Sequence, residues 1–277
     1  MNRKGFFSIL LIGLLSVFYY LFSANEVKRT KHSSIKETVE EAGVFNDLKF
    51  VQTMFYLPAF GKHQIIEHKL YSLSYNEKHE QADWVAYKLF PSSINQFVKR
   101  KDNFRIDTLV VTGSASINDY KKSGFDRGHL APAKTMSFSE ETMRESFLMS
   151  NMSPQKPGFN RGIWKRLEER VRSWIPLSDS LYIVTGPVLR GTLGVIGKNE
   201  VTVPGAYYKT ILRFKNGNLF GIGFLLKNEK SSKSLASYAV SIDRIEKLTG
   251  LNFYQNLRAS IQDKIEANSN LSIFLNE

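Results

Sequence analysis

Cysteine is absent from the 277 residues, which excludes disulfides, thiolate zinc sites and a cysteine nucleophile. Its absence does not fix a compartment, because an exported bacterial protein can fold without disulfides. Histidine is scarce, at five residues, so any imidazole chemistry has few candidates. No internal repeat, low-complexity tract, helix-turn-helix or zinc-finger pattern is present, and with them goes any obvious device for reading base sequence. Acidic residues are outnumbered, 26 against 38 basic ones, for a formal charge of +12.

Part of that surplus sits at the N-terminus. Setting aside Arg3, Lys4, Lys28, Arg29, Lys31 and Glu26 leaves 33 basic and 25 acidic residues from position 33 onward, or +8. Such a surplus favours a polyanionic partner through counterion release and steering, although it also serves solubility. The hydrophobic fraction of 42% and aromatic fraction of 13% are ample for a core.

Residues 6–22 are apolar except for Ser8, Gly13 and Ser16, and follow Arg3 and Lys4. The run has the length of a short spanning helix. In the possible cleavage region Leu21-Phe22-Ser23-Ala24, bulky Phe22 stands where a small residue is preferred. The expectation is a signal-anchor or signal peptide over 1–23 and a polar tether over 24–47, then a globular domain over 48–277. That arrangement implies a membrane-anchored protein with its domain outside the cytoplasm, or an exported one if the segment is cleaved.

Within the domain, residues 68–75 and 83–89 alternate polar and apolar side chains, as two strands joined by a polar turn would. Further strands are expected at 181–185, 208–214 and 219–226, the last two joined by the hairpin signal Lys215-Asn216-Gly217-Asn218. Helices are expected over 140–148, 162–174 and 241–248. Hairpins interspersed with helices predict an α+β fold, a central antiparallel sheet flanked by helices and preceded by the N-terminal hydrophobic helix.

The polar residues that carry chemistry gather in two places. Gly124-Phe125-Asp126-Arg127-Gly128-His129 sets a glycine between a guanidinium and an imidazole. His129 titrates near neutrality and suits a general base. Arg127 shares its face if the segment is extended, and its forked donors suit a phosphate. Gly128 leaves room for backbone to approach a ligand. Downstream lie Ser150-Asn151-Met152-Ser153-Pro154-Gln155 and Asn160-Arg161-Gly162, then a helix carrying Glu168. Asn160 reads as a helix N-cap or as an oxygen ligand of a hard cation such as Mg²⁺. Were both positions helical, Glu168 would lie ~12 Å farther along the axis, which suits contact through water better than direct ligation.

Asp126-Arg127-Gly128-His129, Ser150 to Gln155, Asn160 to Trp164 and Leu167-Glu168 together resemble the DNA/RNA non-specific endonuclease family. Its members include secreted bacterial nucleases and mitochondrial endonuclease G, and it has a ββα-metal active site. His129 precedes Asn151, Asn160 and Glu168 by 22, 31 and 39 residues, close to the family's spacing. The resemblance implies His129 as general base and Asn160 as the single direct ligand of Mg²⁺ or Mn²⁺. It further implies Glu168 holding a metal-bound water, Arg127 on the phosphate and Asn151 in support. An upstream arginine common in the family falls near Asp102, so Arg100 or Arg105 must replace it, while Arg166 and Arg170 offer further phosphate contacts. The expected substrates are DNA and RNA, gripped by their backbones. A homodimer is compatible with the sequence. The alternatives are a catalytically silent nucleic-acid-binding protein on the same fold and a phosphodiesterase acting on another substrate.

Overall fold

The computed structural model describes residues 56–59, 63–94 and 98–275. The expected N-terminal helix and tether, residues 1–47, lie outside these.

Seven strands form one antiparallel sheet, in the order β1 (Gln64–Glu67), β2 (Ser72–Asn76), β3 (Gln81–Leu89), β6 (Ser180–Val188), β9 (Ala206–Lys215), β10 (Asn218–Lys227) and β11 (Ala239–Val240). The strand expected over 68–75 begins only at Ser72. Before it, His68 turns inward to Asp107, with Nε2 and Oδ2 3.0 Å apart, and the chain reverses to pair β1 with β2. The β9–β10 hairpin turns at Asn216 and Gly217, both at positive φ (49° and 77°), the conformation that an Asn-Gly pair accepts most readily.

Alternation along the strands divides the core into two layers. Val85, Tyr87, Leu181, Ile183, Tyr207 and Ile211 face one side, where Leu167, Val171 and Trp174 of helix α3 (Lys165–Trp174) cover them. Trp84, Ala86, Tyr182, Val184, Tyr208 and Leu212 face the other. There they meet Ile242 and Ile245 of α4 (Ile242–Thr249) and Ile265 of α5 (Ala259–Glu266). The approach is close because β10 is bare at Gly221 and Gly223. A Cβ at Gly221 would lie 2.4 Å from the Ile265 carbonyl oxygen, and one at Gly223 2.6 Å from Ile245 Cδ1.

The remaining elements sit outside the sheet. Helices α1 (Ile117–Tyr120) and α2 (Glu140–Ser146) and the strand pair β4 (Asp126–His129) and β5 (Met152–Gln155) lead into α3, the short pair β7 (Val195–Ile196) and β8 (Val201–Thr202) follows, and α6 (Leu271–Leu275) closes the chain. Two strands followed by α3 make a ββα unit. Ser153 ties it to the sheet, its hydroxyl 2.5 Å from Gln81 Oε1 and 2.7 Å from the Tyr207 hydroxyl.

Candidate active site

Strand β4 lies against β5 with Gly128 opposite Ser153 and His129 opposite Met152. Its glycine serves packing rather than a ligand, contrary to the sequence expectation. A Cβ on Gly128 would fall 2.2 Å from Cδ of the buried Gln155 side chain.

Beyond His129 the chain is clamped by Asn151, which is 0% exposed. Its Oδ1 accepts from the Ala131 N–H at 2.8 Å, and its Nδ2 donates to the carbonyls of Ala131 at 3.0 Å and Ser146 at 2.9 Å. Those bonds use both amide hydrogens, so Asn151 holds backbone in place and faces no cleft. Ser150 likewise turns inward and donates to Asp107 Oδ2 at 2.6 Å. The 150–155 cluster therefore supports the site from beneath instead of facing it.

An open cleft of about 920 Å³ runs over the ββα unit. Arg100, Arg127, His129, Asn160, Glu168 and Arg172 are among its lining residues. His129 is packed edge-on against Phe147, with ring centroids 4.8 Å apart, and tilted against Phe104 at 5.7 Å. The Arg127 guanidinium stacks over Phe104 at 4.1 Å, and that of Arg100 over Phe147 at 5.2 Å. Burial, and then the charge of Arg100, pushes the His129 imidazole down to about 3. The ring is thus neutral at pH 7, and its Nε2 has no hydrogen-bond partner.

Asp126 organises the other wall. Arg161 grips its carboxylate with Nε and Nη2 at 2.9 and 2.7 Å, and Asn160 Nδ2 donates to it at 2.9 Å. Burial alone would raise Asp126, but the bonds from Arg161 and Asn160 hold it below the usual carboxylate range. A carboxylate only accepts, so the Asn160 amide nitrogen faces it and the carbonyl oxygen is left over. Asn160 is accordingly no N-cap. It lies in a wide helical turn (Phe159–Trp164) that kinks at Gly162 (φ −106°, ψ −110°) before α3 begins. The turn and α3 do not form one regular helix, and Asn160 and Glu168 both line one cleft.

Glu168 projects from the first turn of α3. Burial raises its carboxyl although Lys209 and Arg172 pull the other way. Lys209, on β9, is 0% exposed, and its ammonium lies 4.8 Å from the Trp164 ring without a hydrogen-bond partner. Burial lowers it. Lys209 and Arg172 were missed in the sequence. The only signal for Arg172 was its place one helical turn beyond Glu168, and Lys209 looked like an ordinary strand charge.

Of the two arginines offered to replace the one near Asp102, only Arg100 reaches the cleft. It does so paired with Asp102 at 2.6 Å. Arg105 turns away and donates to the Arg144 carbonyl at 2.6 Å. Arg166 is exposed on α3 and is not among the cleft residues. Arg105 and Arg166 thus lie outside the lining of this cleft.

Residues 52–260 match the family described as DNA/RNA non-specific endonuclease. A nuclease of Nostoc sp. is 35% identical over 209 residues, covering 71% of this chain and 75% of the relative. Human mitochondrial endonuclease G is 32% identical, covering 72% of each. The crystal structure of an EndoG/EndoGI complex superposes with a TM-score of 0.68 at 29% identity, over 72% of this chain and 89% of that one. The comparisons also overturn the placement expected from residues 6–22, at a membrane or exported beyond it. Relatives whose names carry a location, such as the human protein, are mitochondrial. Among the described residues no helix is long and apolar enough to cross a membrane.

Proposed function

Because the chain belongs to the DNA/RNA non-specific endonuclease family, and is thus an enzyme that hydrolyses phosphodiester bonds of nucleic acid, we propose that His129 is its general base and Asn160 the direct protein ligand of a Mg²⁺ ion. The observation that carries this reading is the pairing, in one cleft, of a neutral imidazole with an orphaned nitrogen and a carboxamide whose nitrogen is already spent on Asp126.

The donor set fits a hard cation. The Asn160 carbonyl oxygen and, nearby, the Glu168 carboxylate are both oxygen donors, and two protein groups suit an ion that keeps most of its waters. Mn²⁺ is acceptable to the same donors. Asn160 would hold the ion directly and Glu168 through water. When bound, the ion supplies positive charge to the phosphate and acidifies the water around it.

The rest of the reaction falls to the chain's own side chains. His129 takes a proton from the attacking water as its oxygen bonds to phosphorus. The bond to the 3′ oxygen breaks, that oxygen takes up a proton from solvent water, and the phosphate stays on the 5′ end. Arg127, Arg100 and Arg172 spread positive charge around the phosphate as it gathers negative charge. The rings of Phe104 and Phe147 keep His129 and the two stacked guanidinium groups in register. Asn151 holds the backbone beyond His129 without touching substrate.

Cleavage of plasmid DNA and of RNA tests this directly. EDTA should abolish both activities, and Mg²⁺ or Mn²⁺ should restore them. His129→Ala should lower kcat by ~10²–10⁴-fold, the usual worth of a general base, with DNA binding retained. Undiminished turnover by that variant would remove the base, and metal-independent turnover would remove the ion.

A further inference from the structure

A second oxygen-rich cluster lies on the sheet face opposite the cleft, where α4 and α5 pack. Asp243 and Glu246 come from α4 and Glu266 from the end of α5, and one carboxylate oxygen from each lies within 4.8 Å of the others. An acidic cluster at a surface is commonplace, but Glu266 is not at the surface. It is 5% exposed, and its Oε1 has no hydrogen-bond partner. Glu246 has one oxygen engaged, accepting the Phe253 N–H at 2.7 Å. No lysine, arginine or histidine pairs with any of the three among the described residues.

Three carboxylates this close repel one another, and burying one of them without a counter-charge is costly. A hard cation relieves both costs. We propose that Asp243, Glu246 and Glu266 form a structural calcium site that ties α4 to α5. Calcium accepts several carboxylate oxygens in a flexible shell, whereas Mg²⁺ demands strict octahedral geometry and keeps most of its waters. Three carboxylates gathered at one point suit the larger ion. Waters complete its shell on the exposed side, where Asp243 and Glu246 are half-buried. The site is independent of the catalytic reading and would strengthen the close seat of both helices on Gly221 and Gly223.

The test is thermal unfolding of the whole chain, with and without millimolar CaCl₂ after EDTA treatment, together with Tb³⁺ luminescence as a direct probe. Calcium should raise Tm by about 3–6 °C, as expected for a ligand that binds only the folded state. Glu266→Gln should weaken Tb³⁺ binding at least tenfold and remove the Tm gain, and Asn160→Ala should leave both intact. Should Glu266→Gln fail to fold, Asp243→Asn, at a more exposed position, makes the same comparison. A wild-type Tm indifferent to calcium would overturn the proposal and leave a protonated Glu266 as what relieves the crowding. A gain that survives Glu266→Gln and vanishes in Asn160→Ala would also overturn it, assigning the ion to the cleft.

Discussion

At the scale of the residue, the partly buried His129 ties the stability of the cleft to pH. Its folded value of about 3, set first by burial and then by Arg100, lies far below the ~6.5 of an unfolded histidine. Between those values the unfolded chain binds a proton that the folded chain refuses. The stability held by the neutral ring is therefore complete above pH ~6.5 and lost progressively as pH falls toward 3. His129→Ala should flatten the fall of Tm between pH 6.5 and 4, measured by circular dichroism at matched ionic strength. A variant whose Tm falls as steeply as the wild type would mean that the imidazole is not what acid attacks. Arg172 gives a second residue-level expectation. It lines the cleft beside Glu168, where a substrate phosphate is its natural partner. Arg172→Ala should cut kcat/KM by ~10²-fold, in the range of a lost transition-state donor. Arg105→Ala and Arg166→Ala, whose side chains lie outside the cleft, should stay within a few-fold of wild type on the same plasmid substrate. Equal losses in all three would deny Arg172 any special place. Asp126 to His129, Asn160 and Glu168 were legible as types at fixed intervals. Arg172 and Lys209 were not, because a helix charge and a strand charge look the same in sequence whether they face solvent or a buried carboxylate.

Among the elements, the β4–β5 pair is the one on which the cleft depends, and its tightest point is Gly128. The Gln155 side chain occupies the space a Cβ would need, so Gly128→Ala should destabilise the fold by ~1–3 kcal/mol, as overpacking does. Gln155→Ala opens that space, and the double variant should lose less than the two single variants summed. Thermal or urea unfolding reads the cycle; strict additivity would mean that the two side chains do not compete. The long strands and α3 could be read from periodicity, since alternation and helical spacing survive over nine or ten residues. The four-residue strands β4 and β5 could not. Their pairing is imposed by Ser153 anchoring β5 to Gln81 and Tyr207, and by Asn151 fastening the next turn. The kink at Gly162 was equally hidden. A continuous helix from 162 onward satisfies the apolar spacing of Ile163, Trp164 and Leu167, and nothing local reveals that the turn before it is wide.

For the whole molecule, the sheet separates two tasks. One face carries the ββα unit and its cleft, and the other carries α4 and α5 with the three carboxylates. The antiparallel architecture was legible from its hairpins, above all the Asn216-Gly217 turn that joins β9 to β10. The distribution of charge was only partly legible. A total of +12 says that a polyanion is favoured but not where. The cleft gathers Arg100, Arg127, Lys134, Arg161, Lys165 and Arg172 against Asp102, Asp126, Glu168 and Glu169, and three of those acids are already matched by Arg100, Arg161 and Lys165. Free cations thus remain to meet phosphates, and no base-reading element accompanies them. Affinity should then come mainly from displaced counterions. With about three phosphates neutralised, kcat/KM on duplex DNA should fall by ~10–100-fold between 50 and 200 mM KCl, a log–log slope near −3. The slope should become shallower by about one for each cleft arginine replaced by alanine, and should be the same for plasmids of different base composition. A slope near zero, or one that changes with sequence while the arginines are intact, would mean that the enzyme recognises something other than the backbone.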